Sequence, residues 1–254
     1  MSAPLRALSL FTVAPVRISA ELTRANAVAA LRWLPVVGAV VGALAGLPLA
    51  AVRQWAAHAT ALGAVLAVAA LVLGTRALHL DGLADTADGL GSRAPAERAR
   101  EIMRRSDVGP FGVVAVVLVL IVDVTALAAL DGGSWRPVAA LSVAAATGRV
   151  AVLAAAHRRV RPARADGFGA YVASSTSTPF VAGAVSAVVA FGVGMAAATG
   201  ADLLGWALAQ LAGLGVALAL CAHAVRRLDG VTGDVFGALI EIGTAVTLAG
   251  LAFT

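Results

Sequence analysis

Long apolar runs alternate with short polar segments along the chain, at 27–52, 61–80, 110–130, 137–157, 178–198, 202–224 and 234–253. Each is close to the roughly 20 residues a helix needs to cross a bilayer. The pattern predicts an all-α fold: a polytopic transmembrane helix bundle of about seven spans (range six to eight), forming a single integral membrane domain over 1–254. The first run contains Arg32, Trp33 and Pro35. Pro35 and Pro48 fit a membrane helix where neighbouring groups satisfy the freed carbonyls. Gly38, Gly42 and Gly46 recur every four residues and predict a face for close helix–helix packing. Residues 1–26 are interrupted by Pro4, Arg6, Pro15, Arg17 and Arg24. They lack the compact basic start and apolar stretch of a cleavable signal peptide and are expected to lie on the membrane surface.

Composition agrees with that pattern. Of 254 residues, 60% are apolar and 13% charged, whereas a soluble domain carries about 25% charged residues. Disorder needs the opposite balance, and the single cysteine, Cys221, excludes a disulfide framework. The net charge of +5 comes from 19 basic residues, all arginine. They form no basic stripe interleaved with aromatics, so nucleic acid is not an expected partner. Their distribution carries topology instead. Arg6, Arg17, Arg24, Arg93, Arg98, Arg100, Arg104, Arg105, Arg158, Arg159, Arg161, Arg164, Arg226 and Arg227 fall on one side of the seven runs, and only Arg53 and Arg136 on the other. This asymmetry predicts a cytoplasmic N-terminus in a multi-pass protein of the cell (inner) membrane, with the loops 81–109, 158–177 and 225–233 facing the cytoplasm. Those long loops are where function is expected.

Chemistry concentrates at His79–Gly91, the expected cytoplasmic end of the second run. Asp81, Asp85 and Asp88 are spaced i, i+4 and i+7, which puts all three on one helix face. Two carboxylates about 6 Å apart repel by roughly 3 kcal/mol at an effective dielectric near 20. Three together raise one another's pKa unless a cation neutralises them. Oxygen-only donors select a hard ion such as Mg²⁺, held by one or two carboxylates, water and a substrate phosphate. His79 adjoins the cluster without a partner at zinc spacing and is read as an interfacial residue.

A short helix beginning near Pro95 follows, with Glu101 expected to reach Arg104 or Arg105. Arg105 and Asp107, beside the turn at Gly109, are candidates for phosphate recognition. A second acidic site pairs Asp234 with Glu241, seven residues apart on one helix face, and Glu241 must face a polar interior. Asp234 could equally cap its helix. Asp123 and Arg149, charges inside the third and fourth hydrophobic runs, are expected to pair. Arg76 is placed one turn deeper than Asp81. The segment from Arg161 to Gly169, with Arg164 and Asp166, has the composition of an anion-binding turn.

The stretch LHLDGLADTADGLG, followed by EIMRRSDVGPFGV, closely resembles the signature of the cobalamin synthase (adenosylcobinamide-GDP ribazoletransferase) family. The segments ARADGFGAYVA at 164–174 and DGVTGDVFGALIEI at 229–242 agree, as do FTVAPV and LPVVGAVVGAL near the start, although FTVAP lacks an arginine expected before its proline. The resemblance implies a membrane-embedded, Mg²⁺-dependent enzyme of late vitamin B12 biosynthesis. Such an enzyme joins adenosylcobinamide-GDP to α-ribazole or its 5′-phosphate and releases GMP. With that substrate, Asp81, Asp85 and Asp88 are expected to hold Mg²⁺ on the diphosphate, with Asp234 completing the site. Asp88 would accept the hydroxyl proton, with Asp85 the other catalytic carboxylate. Arg105 or Arg164 would stabilise departing GMP, and Arg76, Asp107, Gly109 and Asp166 would contact substrate. Alternatives of other classes are a phospholipid-making CDP-alcohol phosphotransferase, related by analogy in the aspartate block, and a transporter using the intramembrane charges Asp123, Arg149 and Glu241. The small-residue faces also permit a homo-oligomer.

Overall fold

The computed structural model describes residues 2–16 and 22–254, so Arg17 lies outside the described residues. Among these, the chain forms helices and no strands. Seven helices are long and apolar enough to cross a membrane: α3 (Leu34–Trp55), α4 (Thr60–Gly74, preceded by a single short turn), α7 (Pro110–Ala129), α8 (Arg136–Ala155), α10 (Thr178–Thr199), α11 (Leu203–Leu228) and α12 (Gly233–Leu251). Five shorter helices, α1 (Ala3–Phe11), α2 (Arg24–Leu31), α5 (Leu78–Gly91), α6 (Ala96–Ile102) and α9 (Gly167–Val172), gather at one end of the bundle.

Alanine-rich α8 forms the centre of the bundle and is buried along nearly its whole length, because small side chains on every face let α3, α10, α11 and α12 surround it. The expected glycine face is the α3–α8 contact. A methyl group at Gly38, Gly42 or Gly46 would collide with the backbone of Ala145, Leu141 or Val138, the close approach that small residues permit between membrane helices.

Two expected spans break where continuity was predicted. The run at 27–52 is two helices, α2 and α3, with a turn at Arg32 and Trp33. Pro35 lies in the first turn of α3, where its fixed φ and missing N–H are tolerated; it could not have continued α2. The run at 61–80 ends at Gly74. There the N–H of Ala77 bonds to the carbonyl of Val72 at 2.8 Å, the closure of a Schellman-type helix end. Arg76 (φ 57°) and Ala77 (φ 54°) both take the left-handed conformation, strained for residues with a Cβ. The chain then re-enters helix as α5, which packs against α7 and α12.

This break changes the electrostatics of the aspartate block. Rather than ending a span, where a carboxylate opposes the helix dipole, Asp81 lies in the first turn of α5, where the dipole favours it. Arg76 is neither deeper than the block nor directed toward it. Its guanidinium donates to the carbonyl of Leu10 at 3.0 Å and ties α1 to the break.

Candidate active site

Three segments converge at the end of the bundle that carries the short helices. α5 meets the start of α12 at Gly82, where an added methyl group would strike the backbone of Asp234. That contact requires glycine, and it sets the Asp81–Asp85 face of α5 beside Asp234. The segment before α9 is joined to the segment before α12 by two backbone bonds, Val231 N–H to Arg161 O (3.0 Å) and Ala163 N–H to Val231 O (2.9 Å). This brings Arg164 to 3.7 Å from Asp234. Arg164 also donates to the carbonyl of Arg100 at 3.2 Å, fixing the guanidinium from behind. Thr232 is the N-cap of α12, accepting from Val235 N–H at 3.2 Å and donating to Asp234 at 3.1 Å. The cap is therefore Thr232, which leaves Asp234 free to face outward.

These residues border a cavity of about 340 Å³. Its polar wall is His79, Asp81, Arg164, Asp166, Thr232 and Asp234, and its apolar wall includes Phe11 of α1 and Phe168 of α9, packed edge to face at 5.4 Å. α2 braces α9 through Arg24, which donates to the carbonyls of Ala170 (3.0 Å) and Ala173 (2.9 Å). The apolar wall carried no signal in the sequence beyond scattered aromatics, because it is assembled from segments more than 150 residues apart.

Negative charge is in surplus here. Burial first, and then Asp234, Asp81 and Asp88, push the Asp85 carboxyl up to about 7, with Arg164 the opposing influence. Such a set suits a hard divalent cation in its donors, all oxygen, and in its uncompensated charge. Among the described residues no three such side chains are already drawn together at ligand distance. Because Mg²⁺ characteristically takes only one or two carboxylates, with water and phosphate completing its octahedron, Asp81, Asp85 and Asp234 remain a sufficient donor set.

The other expected site residues lie elsewhere. Asp88 is buried, and its two oxygens accept the N–H groups of Gly109 (2.7 Å) and Gly112 (2.9 Å). It anchors the first turn of α7 from α5, and Gly109 belongs to that anchor. Arg105 and Asp107 are exposed in the segment between α6 and α7 and do not border the cavity. Glu101 pairs with Arg98 at 2.6 Å instead of with Arg104 or Arg105. Arg100 donates to Leu228 O at 2.7 Å, joining α6 to α11.

At the inner wall of the cavity begins a buried polar group. His79 is buried, not interfacial, and its Nδ1 is 3.8 Å from Glu241. Burial, and secondarily Arg149, push the His79 pKa well below its usual value, so the imidazole is neutral. Glu241 faces this interior as expected. Asp123 and Arg149 do not pair: Arg149 donates to Ala145 O at 3.0 Å, and Asp123 Oδ1 has no hydrogen-bond partner among the described residues.

The family model for cobalamin-5-phosphate synthase matches residues 3–252. Among curated relatives, an adenosylcobinamide-GDP ribazoletransferase of Frankia casuarinae is 40% identical, over 98% of this chain and 93% of its own length. Proteins of the same name from Bradyrhizobium diazoefficiens and Klebsiella pneumoniae are 39% and 35% identical, covering 95% and 93% of the chain and 90% and 93% of their own lengths. No solved structure matches.

Proposed function

The chain belongs to the cobalamin-5-phosphate synthase family, and from that premise we propose a mechanism for its acidic cavity. The protein is an adenosylcobinamide-GDP ribazoletransferase, acting in the final stage of cobalamin synthesis. The phosphocobinamide group passes from adenosylcobinamide-GDP to α-ribazole or its 5′-phosphate, and GMP leaves. The observation that carries the site assignment is the meeting of Asp81, Asp234 and Arg164 around one cavity.

Phosphoryl transfer asks a protein for positioning and charge neutralisation more than for covalent chemistry. Asp81, Asp85 and Asp234 would hold Mg²⁺, which when bound neutralises the diphosphate and stabilises the leaving phosphate. Arg164, fixed between Asp234 and the Arg100 carbonyl, presents its remaining N–H groups to phosphate oxygens. The N-terminal turn of α12 borders the same space and adds the positive end of its dipole. Asp166 lines the cavity without spending its side chain on capping α9, and accepts a hydrogen bond from a ribose hydroxyl of the acceptor. Asp88, with both oxygens engaged, orients α7 against α5. The cavity has room for a diphosphate and an adjoining ring, so the corrin lies at its mouth.

We place this end of the bundle at the cytoplasmic face of the inner membrane. Arg158, Arg159, Arg161, Arg226 and Arg227 flank the spans there, whereas the opposite end carries Arg53 and Arg136, the asymmetry of the positive-inside rule. The experiment that tests the site is GMP release from adenosylcobinamide-GDP by purified Asp81→Asn, Asp85→Asn and Asp234→Asn proteins across a Mg²⁺ titration. Near wild-type turnover in any of them removes that residue from the site.

A further inference from the structure

A second pocket, of about 490 Å³, opens at the same end of the bundle and shares no lining residue with the acidic cavity. Its walls are Arg32, in the turn before α3, and Arg158, just beyond α8; its floor is the polar run Ser174–Ser177 leading into α10. Among the described residues neither guanidinium has a carboxylate within ion-pair distance. Arg32 is instead held over the ring of Phe180, 5.3 Å from its centroid. Ser174 and Thr176 donate their hydroxyl protons to Val160 O and Leu153 O.

Two uncompensated guanidiniums around one polar concavity match a tetrahedral oxyanion, and phosphate above all. Depth identifies the kind of phosphate. Arg32 and Phe180 lie at the ends of membrane spans, and the exposed Trp33 beside them marks the interfacial level where aromatic residues collect. The neighbouring α10 is the least buried of the seven spans and presents most of its surface to lipid. We propose that this pocket binds the phosphate headgroup of an anionic phospholipid, with Arg32 and Arg158 on the phosphate oxygens. Two arginines without acidic partners select a headgroup of net negative charge over a zwitterionic one, whose own ammonium offsets its phosphate.

Native mass spectrometry of the detergent-purified protein tests this, with short-chain phosphatidylglycerol, short-chain phosphatidylcholine and inorganic phosphate as probes. Wild-type protein is expected to bind phosphatidylglycerol about thirtyfold more tightly than phosphatidylcholine, from two basic residues acting at headgroup level. The Arg32→Gln/Arg158→Gln double variant should lose that preference at an unchanged melting temperature, and Arg32→Lys/Arg158→Lys should retain most of it. Equal wild-type affinity for the two lipids, or an undiminished preference in the double glutamine variant, overturns the proposal. Displacement of phosphatidylglycerol by equimolar inorganic phosphate also overturns it, because the pocket would then serve a free anion.

Discussion

The two groups of carboxylates on either side of the α5–α12 contact share a chemistry and differ in everything around it. Asp81 and Asp234 face a cavity with the half-buried Asp85 beside them, the three repel one another, and Arg164 is their basic neighbour. Asp123 and Glu241 are sealed among helices with Arg149 and a neutral His79. In the first group the charge is unbalanced but reachable, which is the condition for recruiting a cation and a phosphate. In the second it is enclosed by protein, where a carboxylate persists only if its surroundings compensate it. Position in the membrane sequence did not separate the two; access did.

Substitutions should separate them more sharply. The largest expected effect is at the cavity: Asp81→Asn or Asp234→Asn should lower the rate of GMP release by about a hundred- to a thousandfold, as loss of a positioned charge-stabilising group does. Their melting temperatures should not fall. Glu241→Ala should show the reverse. Leaving Arg149 buried without its neighbouring carboxylate should destabilise the fold by about 3 kcal/mol, read as a lower melting temperature, while the surviving folded protein keeps its dependence on Mg²⁺. Loss of activity without loss of stability in Glu241→Ala would erase the distinction between the groups.

Asp85 joins both sides of the comparison. Its folded-state pKa, about 7, lies above that of an unfolded aspartate. The folded protein therefore binds more protons, and stability falls as pH rises from about 4 to 7 before levelling off. Asp85→Asn should remove that fall and raise the melting temperature near neutral pH by about 2–4 °C, for a gain on the order of 1 kcal/mol, while impairing turnover. A thermal-shift series from pH 4 to 8 without divalent cation checks it. Asp88→Asn keeps one acceptor for two N–H groups and should cost about 1 kcal/mol, with a secondary loss of activity. The smallest effect belongs to Arg105→Ala: exposed and away from the cavity, it should change kcat/KM by less than about threefold.

Much of the bundle was legible because a bilayer imposes one length scale, and the Gly38–Gly42–Gly46 face carried its packing partner's requirement within it. The break at Arg32–Trp33 left a trace in Arg32, Trp33 and Pro35, but the break at Thr75–Ala77 was not legible. Hydropathy averages across a turn of two or three residues, and nothing in Arg76 or Ala77 announces a left-handed backbone as glycine would. That missed break misplaced Arg76 and gave Asp81 the wrong end of a helix dipole. Spacing did place Asp81 and Asp85 on a common face. It could not show that Asp88, on the same face by periodicity, turns its oxygens to the amides of Gly109 and Gly112. Spacing left Arg105 and Arg164 as alternatives, whereas the pairing of Val231 with Arg161 and Ala163 delivers Arg164 to Asp234 from 70 residues away in the chain. The polar interior for Glu241 was foreseen; the pairing of Asp123 with Arg149 was not realised, because the Arg149 guanidinium bonds to the backbone of its own helix.

The central claim is that carboxylates of α5 and α12 share one divalent cation. Electron paramagnetic resonance of Mn²⁺ added to the purified wild-type, Asp81→Asn and Asp234→Asn proteins, each with adenosylcobinamide-GDP, tests it most directly. The account predicts a bound Mn²⁺ signal in wild type that is weakened at least about tenfold in affinity by either substitution, as when a metal site loses an anionic ligand. Equal Mn²⁺ binding by all three proteins would contradict it.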